Sequence, residues 1–240
     1  MRLKDKVIIV TGGTSGIGAA IATAAIREGA KVLVHGINEE EGRATVDRLG
    51  ANAVLCLADL ADDSAPEVIV GAALKAFGKI DGIVNNAAIF GGTNISEQEI
   101  DHFRRMMQIN LTAPLFLIKA AFEELKKSGG SVLNIGSINA HAGESKLLAY
   151  SISKGSADID THTYHRQSPV LDFAAIETWI MRGTKRILHT GPCACQGQMW
   201  PSNGAPNAKI QHLQRFNAHD MPDCDCLPAA HRFARYLLSR

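Results

Sequence analysis

Tyr150 and Lys154 stand four residues apart in "AYSISKG", a spacing that puts both side chains on one face of a helix, one turn apart. A phenol with an ordinary pKa of about 10 is a poor base at neutral pH, and a neighbouring cation is what stabilises its phenolate. Lys154 can supply that cation. So equipped, Tyr150 can give a proton to a carbonyl oxygen being reduced or take one from an alcohol being oxidised. Ser137 follows a short apolar run, "SVLNIG", and its hydroxyl can hold the same oxygen at the end of a buried strand.

A second constellation lies near the N-terminus. "TGGTSGIG", Thr11 to Gly18, separates an apolar run from a helix-length segment. Gly12, Gly16 and Gly18 let a backbone turn tightly, approach a pyrophosphate and pack helix against strand, while the helix start offers free amides and the positive end of a dipole. A glycine-rich turn alone is also compatible with a plain strand-to-helix connection.

With Asp59-Leu60, "NNAA" (Asn85 to Ala88), Asn110, Ser137 and Tyr150-x-x-x-Lys154 following in order, residues 1 to about 155 resemble a short-chain dehydrogenase/reductase. The resemblance implies an oxidoreductase that moves a hydride between NAD or NADP and a small alcohol or carbonyl substrate. It assigns catalysis to Asn110, Ser137, Tyr150 and Lys154. Cofactor binding falls to Thr11, Gly12, Thr14, Ser15, Gly16, Ile17, Gly18, Gly36, Asp59, Leu60, Asn86 and Ala87, together with Tyr150 and Lys154. Lys154 would also hold the nicotinamide ribose hydroxyls, Asn110 would position a water that relays protons to it, and Asp59 would meet the adenine. Asn86 and Ala88 correspond to the segment that stabilises the sheet beside the cofactor, although Ala88 replaces the usual glycine and narrows the backbone there. Taken by itself, Asn110 in a helical segment is also compatible with an amide at a kink or one bonded to its own helix. A homo-oligomer is implied, paired through the segment from Ile100 to Lys127 and the helix beginning near Tyr150.

Cofactor choice turns on "VLVHGINEEEGR". An acidic residue at the end of that strand would bind the adenosine ribose diol, and an Arg would attract a 2′-phosphate. Gly36 and Ile37 offer neither, so NAD and NADP both remain open. Ile89, Phe90, His141 and Glu144 lie where a substrate pocket would form, with His141 reading as an exposed loop residue.

These groups need a scaffold, and the first 155 residues spell one. Apolar runs at Val7 to Thr11, Lys31 to His35, Ala53 to Leu57, Ile80 to Asn85 and Ser131 to Gly136 alternate with helix-length periodic segments. That rhythm predicts an α/β fold with a doubly wound parallel sheet, Rossmann-type, in strand order 3-2-1-4-5 at least. Continuous rather than alternating apolar runs suit strands covered on both faces. Asn38 with Glu41, and Ser96 with Glu99, have capping-box spacing, and Gly29, Gly50 and Gly78 suit helix ends. The 240 residues, 46% of them hydrophobic, are enough for one full core. A net charge of +1 gives no field to recruit nucleic acid or an anionic membrane. The N-terminal apolar run is too short for a signal peptide and no window reaches a membrane span, so the cytoplasm is the expected location.

After Gly155 the composition changes. Residues 156 to 240 contain one Val and one Glu, against ten of each before, and hold four of the five cysteines and six of the eight prolines. The helix from Tyr150 loses its apolar stripe beyond Ile159, Asp158 and Asp160 are poor helix formers, and Pro169 ends the segment. The one strand this stretch suggests is "KRILHTGP", Lys185 to Pro192. The sequence therefore divides into a dinucleotide-binding region, 1–155, and an atypical segment, 156–240, in place of the usual sixth and seventh strands and substrate loop. A shifted reading frame or rearrangement would produce such a segment. The alternative function is then a catalytically impaired nucleotide-binding remnant, with its oligomer weakened. Cys193-x-Cys195 and Cys224-x-Cys226, with His189, His212, His219 and His231, carry soft ligands that suit zinc, but they lack the usual CxxC knuckle and no metal site is assigned. Cys56 reads as a core residue.

Overall fold

A computed structural model describes residues 1–141, 144–167, 172–181 and 184–188, with side-chain surroundings described through Ala157. The chain alternates β1 (Val7–Val10), α1 (Gly16–Arg27), β2 (Lys31–Gly36), α2 (Glu39–Leu49), β3 (Ala53–Leu57), α3 (Ala65–Phe77) and β4 (Gly82–Asn85). It continues through α4 (Ile100–Met107), a π-helical turn (Gln108–Thr112), α5 (Ala113–Ser128), β5 (Ser131–Ser137) and α6 (Leu148–Gln167) to β6 (Asp172–Met181) and β7 (Thr184–Leu188). One sheet takes the order β3-β2-β1-β4-β5-β6-β7. All pairings from β3 to β6 are parallel, as βαβ crossovers require.

Both faces of the sheet are buried, which is why its strands are continuously apolar. Ile9, Leu33, Ile83 and Val132 pack on one side with Ile69 and Ala73 of α3 and Leu117 and Ala121 of α5. Their neighbours Ile8, Val10, Val32, Val34, Val84 and Leu133 pack on the other with Ala22 and Ala25 of α1. Asp81, buried ahead of β4, accepts the Val7 N–H and the Lys6 and Lys79 ammoniums, each at 2.9 Å. Burial pushes its carboxyl up, but the hydrogen bonds from Lys79, Val7 and Lys6 outweigh this and hold it below the usual range.

Helix ends follow the expectation in part. Asn38 caps α2 by accepting the Glu41 N–H at 3.1 Å, and Gly50 and Gly78 end α2 and α3 at positive φ. The Ser96–Glu99 capping box does not form. Ser96 lies inside a 3-10 turn, Ile95–Glu97, whose Glu97 amide bonds to the Asn94 carbonyl, so α4 starts only after Glu99.

Beyond Gly155 the structure corrects the sequence reading twice. α6 continues to Gln167, two residues short of Pro169, because the few tenths of a kcal/mol that Asp costs in a helix are small beside a continuing backbone ladder. The chain also has a strand where none was expected: β6 runs parallel to β5 through seven register pairs, from Ser131↔Asp172 to Ser137↔Thr178. The open edge of β5 recruits backbone, not valine. β7 overlaps the suggested Lys185–Pro192 strand, whose remainder lies outside the described residues. Only two residues separate β6 from β7, too few for a crossover helix, and the two strands are antiparallel. No helix among the described residues is long and apolar enough to cross a membrane. The cysteine and histidine candidates from His189 onward lie outside the described residues.

Candidate functional site

The Thr11–Gly18 loop leaves β1 at the carboxyl end of the sheet and is tied down from two sides. From the β4 side, Asn86 Nδ2 donates to the Thr11 carbonyl at 2.9 Å and to the Gly12 carbonyl at 3.1 Å. Thr11 Oγ1 accepts the backbone N–H groups of Asn86 and Ala87 at 3.0 and 3.1 Å. From the β2 side, the Gly12 N–H is 3.3 Å from His35 Nδ1, and the Gly13 N–H donates to the His35 carbonyl at 2.8 Å. Gly18 is obligatory, since a Cβ there would sit 2.1 Å from the Gly12 carbonyl oxygen. Gly36 is nearly so, with Thr14 Cγ2 at 2.4 Å from an added Cβ.

The loop fits an anion. Ser15, at the N-cap of α1, makes no side-chain capping bond, and the first turn holds no acidic residue, which leaves the helix-start amides to a ligand. Gly16 has positive φ and nothing within 4 Å of an added Cβ, so the turn is open where Ser15 and Gly16 face outward. Ile17 is half-buried beside them. Past β3, Asp59 Oδ1 accepts the Ala61 N–H at 2.9 Å and Oδ2 pairs with Arg105 at 3.2 Å. The backbone bond from Ala61 leads in holding its carboxyl low, burial opposes it, and Arg105 adds to the lowering. Leu60 is a core residue, so it could meet a ligand only through its backbone.

The proton-transfer candidates meet where β5 ends and α6 begins. The Ser137 hydroxyl accepts the Asn139 N–H at 3.2 Å and lies beside the Tyr150 phenol, where it counters the effect of burial. Phe90 meets Tyr150 edge-on at 4.9 Å between ring centres and is itself 69% exposed. Burial pushes the Tyr150 phenol up, with Ser137 opposing. Lys154 is buried, donates to the Ile135 carbonyl at 2.8 Å, and sits 6.0 Å from the Tyr150 ring centre. Burial alone lowers its ammonium to about 8. The phenol and ammonium thus share a corner, with one of the three ammonium N–H groups directed to the strand.

Asn110 sits in the π-helical turn and uses its whole amide in protein contacts: Oδ1 accepts the Ile89 N–H at 2.9 Å, and Nδ2 donates to the Ile89 carbonyl and the Ser153 hydroxyl, each at 3.0 Å. It thereby joins the segment after β4 to α6. A cavity of about 20 Å³, lined by Asn85, Asn110, Asn134 and Lys154 among others, has room for about one water, and Asn85 Oδ1 is buried without a partner. His141 and Glu144 are exposed and Ile89 is half-buried. Sequence reasoning missed His35 and Ser153. A polar residue ending an apolar strand is the signal for the first; Ser153, fully buried between Tyr150 and Lys154, offered none beyond its position.

Known proteins resemble this chain in sequence and in fold. The family model described as short chain dehydrogenase matches residues 6–168. A Thermotoga maritima protein named an uncharacterized oxidoreductase is 37% identical over 65% of this chain, which spans 63% of that relative's length. A 3beta-hydroxysteroid dehydrogenase of Mediterraneibacter gnavus is 29% identical over 90% of this chain and 84% of its own. A solved short-chain dehydrogenase/reductase of unknown function from Caenorhabditis elegans, with cofactor, superposes with a TM-score of 0.69 at 27% identity, covering 74% of this chain and 70% of that one.

Proposed function

The chain belongs to the short-chain dehydrogenase/reductase family, and on that premise we propose that it interconverts an alcohol and a carbonyl compound with Tyr150 as the proton donor and acceptor. The observation that carries this reading is the corner where Tyr150, beside Ser137, stands one helical turn from the buried Lys154. Thr11 to Gly18, Gly36, Asn86 and Ala87 would hold NAD or NADP, with the pyrophosphate at the uncapped start of α1. When bound, the nicotinamide supplies or takes up the hydride.

The protein's own groups do the rest. In reduction, Tyr150 gives its phenolic proton to the substrate oxygen while Ser137 holds that oxygen. Lys154, cationic below a pKa of about 8, favours the phenolate left behind. Its two N–H groups beyond the Ile135 bond are available to ribose hydroxyls, and a water in the Asn85–Asn110–Lys154 cavity would return the proton. Phe90 presents an apolar face beside the phenol, which suits a substrate with an apolar substituent. At the end of β2, Ile37 is 73% exposed, Arg43 is engaged by Glu39 at 2.6 Å, and Glu39, Glu40 and Glu41 fill the first turn of α2. That negative surround favours NAD over NADP.

Phe116 of α5 and Leu148 and Ile152 of α6 are exposed apolar residues on the helices that would pair in a homo-oligomer, and light scattering showing only monomer would contradict that pairing. A second reading, a dinucleotide binder with little turnover, is favoured by the one Lys154 N–H already spent on Ile135 and by the antiparallel β7. The long alignment with the Mediterraneibacter protein weighs against a frame-shifted tail. The purified full chain, assayed with NADH and NADPH against a panel of small ketones and aldehydes, separates the two. Turnover supports the first reading, and dinucleotide binding without turnover on any of them supports the second.

A further inference from the structure

The imidazole of His35 takes no part in the proton transfer described above, yet it occupies the junction between the glycine loop and the sheet. It is 2% exposed, near the end of β2. Its Nδ1 faces the Gly12 N–H at 3.3 Å, its Nε2 lies 2.9 Å from the Ala58 carbonyl just past β3, and its own carbonyl accepts the Gly13 N–H. One residue therefore holds the two successive amides at the base of the loop.

The partners dictate the protonation state. A carbonyl can only accept, so Nε2 carries the hydrogen; a backbone N–H can only donate, so Nδ1 presents its lone pair. Both bonds exist only for the neutral ring with its hydrogen on Nε2. A proton added at Nδ1 would face the Gly12 N–H donor to donor, and that contact would turn from attractive to repulsive.

We propose that His35 is a positioning residue whose neutral imidazole fixes the Gly12 amide and the loop that follows, and whose protonation releases them. Its consequence for ligand binding rests on the dinucleotide reading above. Among the charged groups around it, the Asp59 carboxylate past β3 favours the cation, and Arg105 of α4 engages that carboxylate. Glu67 and Lys75 of α3 are exposed, α1 carries only Arg27 at its far end, and the Cys56 thiol opposite in β3 is pushed up by burial and stays neutral. Burial outweighs the Ala58 bond and Asp59, so His35 titrates below its usual 6.5. A depressed histidine contributes stability above its unfolded pKa and loses it as pH falls through the folded value, so release occurs on the acid side of 6.5.

The test follows the ring nitrogens of His35 and the Gly12 amide by NMR in the full chain without dinucleotide, from about pH 7.5 to about pH 5. The expected result is the Nε2–H tautomer at the upper end and a Gly12 amide that shifts with the same midpoint as the ring. In His35→Asn, whose side-chain oxygen can accept the same N–H without titrating, that shift disappears. NADH affinity then falls roughly tenfold across the range in the unaltered protein and stays level in the variant. An Nδ1–H tautomer, or a Gly12 amide indifferent to the ring, overturns the proposal. A Gly12 amide that follows the ring in a protein that never binds NADH upholds the positioning role and defeats the dinucleotide reading.

Discussion

Around the Thr11–Gly18 loop, the backbone groups at its base find partners on two neighbouring strands, His35 from β2 and Asn86 after β4. Around Tyr150 and Lys154 the arrangement is looser: the phenol has Ser137, and the buried ammonium turns to a strand carbonyl. The first region is shaped by the protein before any ligand arrives. The second keeps donors in reserve, at the cost of holding a cation in the interior. A binding surface can be built from backbone alone, whereas a proton-transfer corner needs polar groups left partly unmatched.

The sharpest way to expose that contrast is Lys154→Met. Turnover should fall about 10²- to 10⁴-fold, yet thermal melts at pH 7 should show a more stable protein, by on the order of 1–3 kcal/mol, because a buried cation has gone. Lys154 is lowered to about 8, so the folded state binds fewer protons than the unfolded state between there and 10.5. The unaltered protein should therefore gain stability across that window and close the gap.

On the loop side the effects run the other way. Gly18→Ala would press a Cβ against the Gly12 carbonyl, so chemical denaturation should show a loss of roughly 1–3 kcal/mol, with dinucleotide binding lost alongside it. Asn86→Ala removes two donor contacts at the loop's base and should cost about 1 kcal/mol and weaken NADH binding several-fold by fluorescence titration. The smallest effect concerns cofactor choice: KM should be lower for NADH than for NADPH, and Glu39→Gln should narrow the difference by freeing Arg43.

Strands β1 to β5 were legible because burial on two faces writes continuous apolar runs, and glycines at positive φ mark where α2 and α3 stop. That Tyr150 and Lys154 share one helix, a turn apart, followed from their spacing. β6 was not legible, since Asp172–Met181 forms by adding backbone to an open edge and its β-formers are interrupted by Ala and Glu. His35 hid because its role depends on two partners brought from other strands, and the Ser96–Glu99 spacing misled because a 3-10 turn intervenes. The direction of that Lys154 N–H was equally invisible, for helical spacing places two side chains on a face without saying where the longer one ends.

The central claim is that Tyr150 moves the proton. Steady-state turnover and NADH binding, measured together on Tyr150→Phe, test it most directly. The account predicts that turnover disappears while the dinucleotide dissociation constant changes less than about twofold. The phenol oxygen alone is lost, and the ring that meets Phe90 remains. A variant that still turns over at a rate near that of the unaltered protein would contradict it.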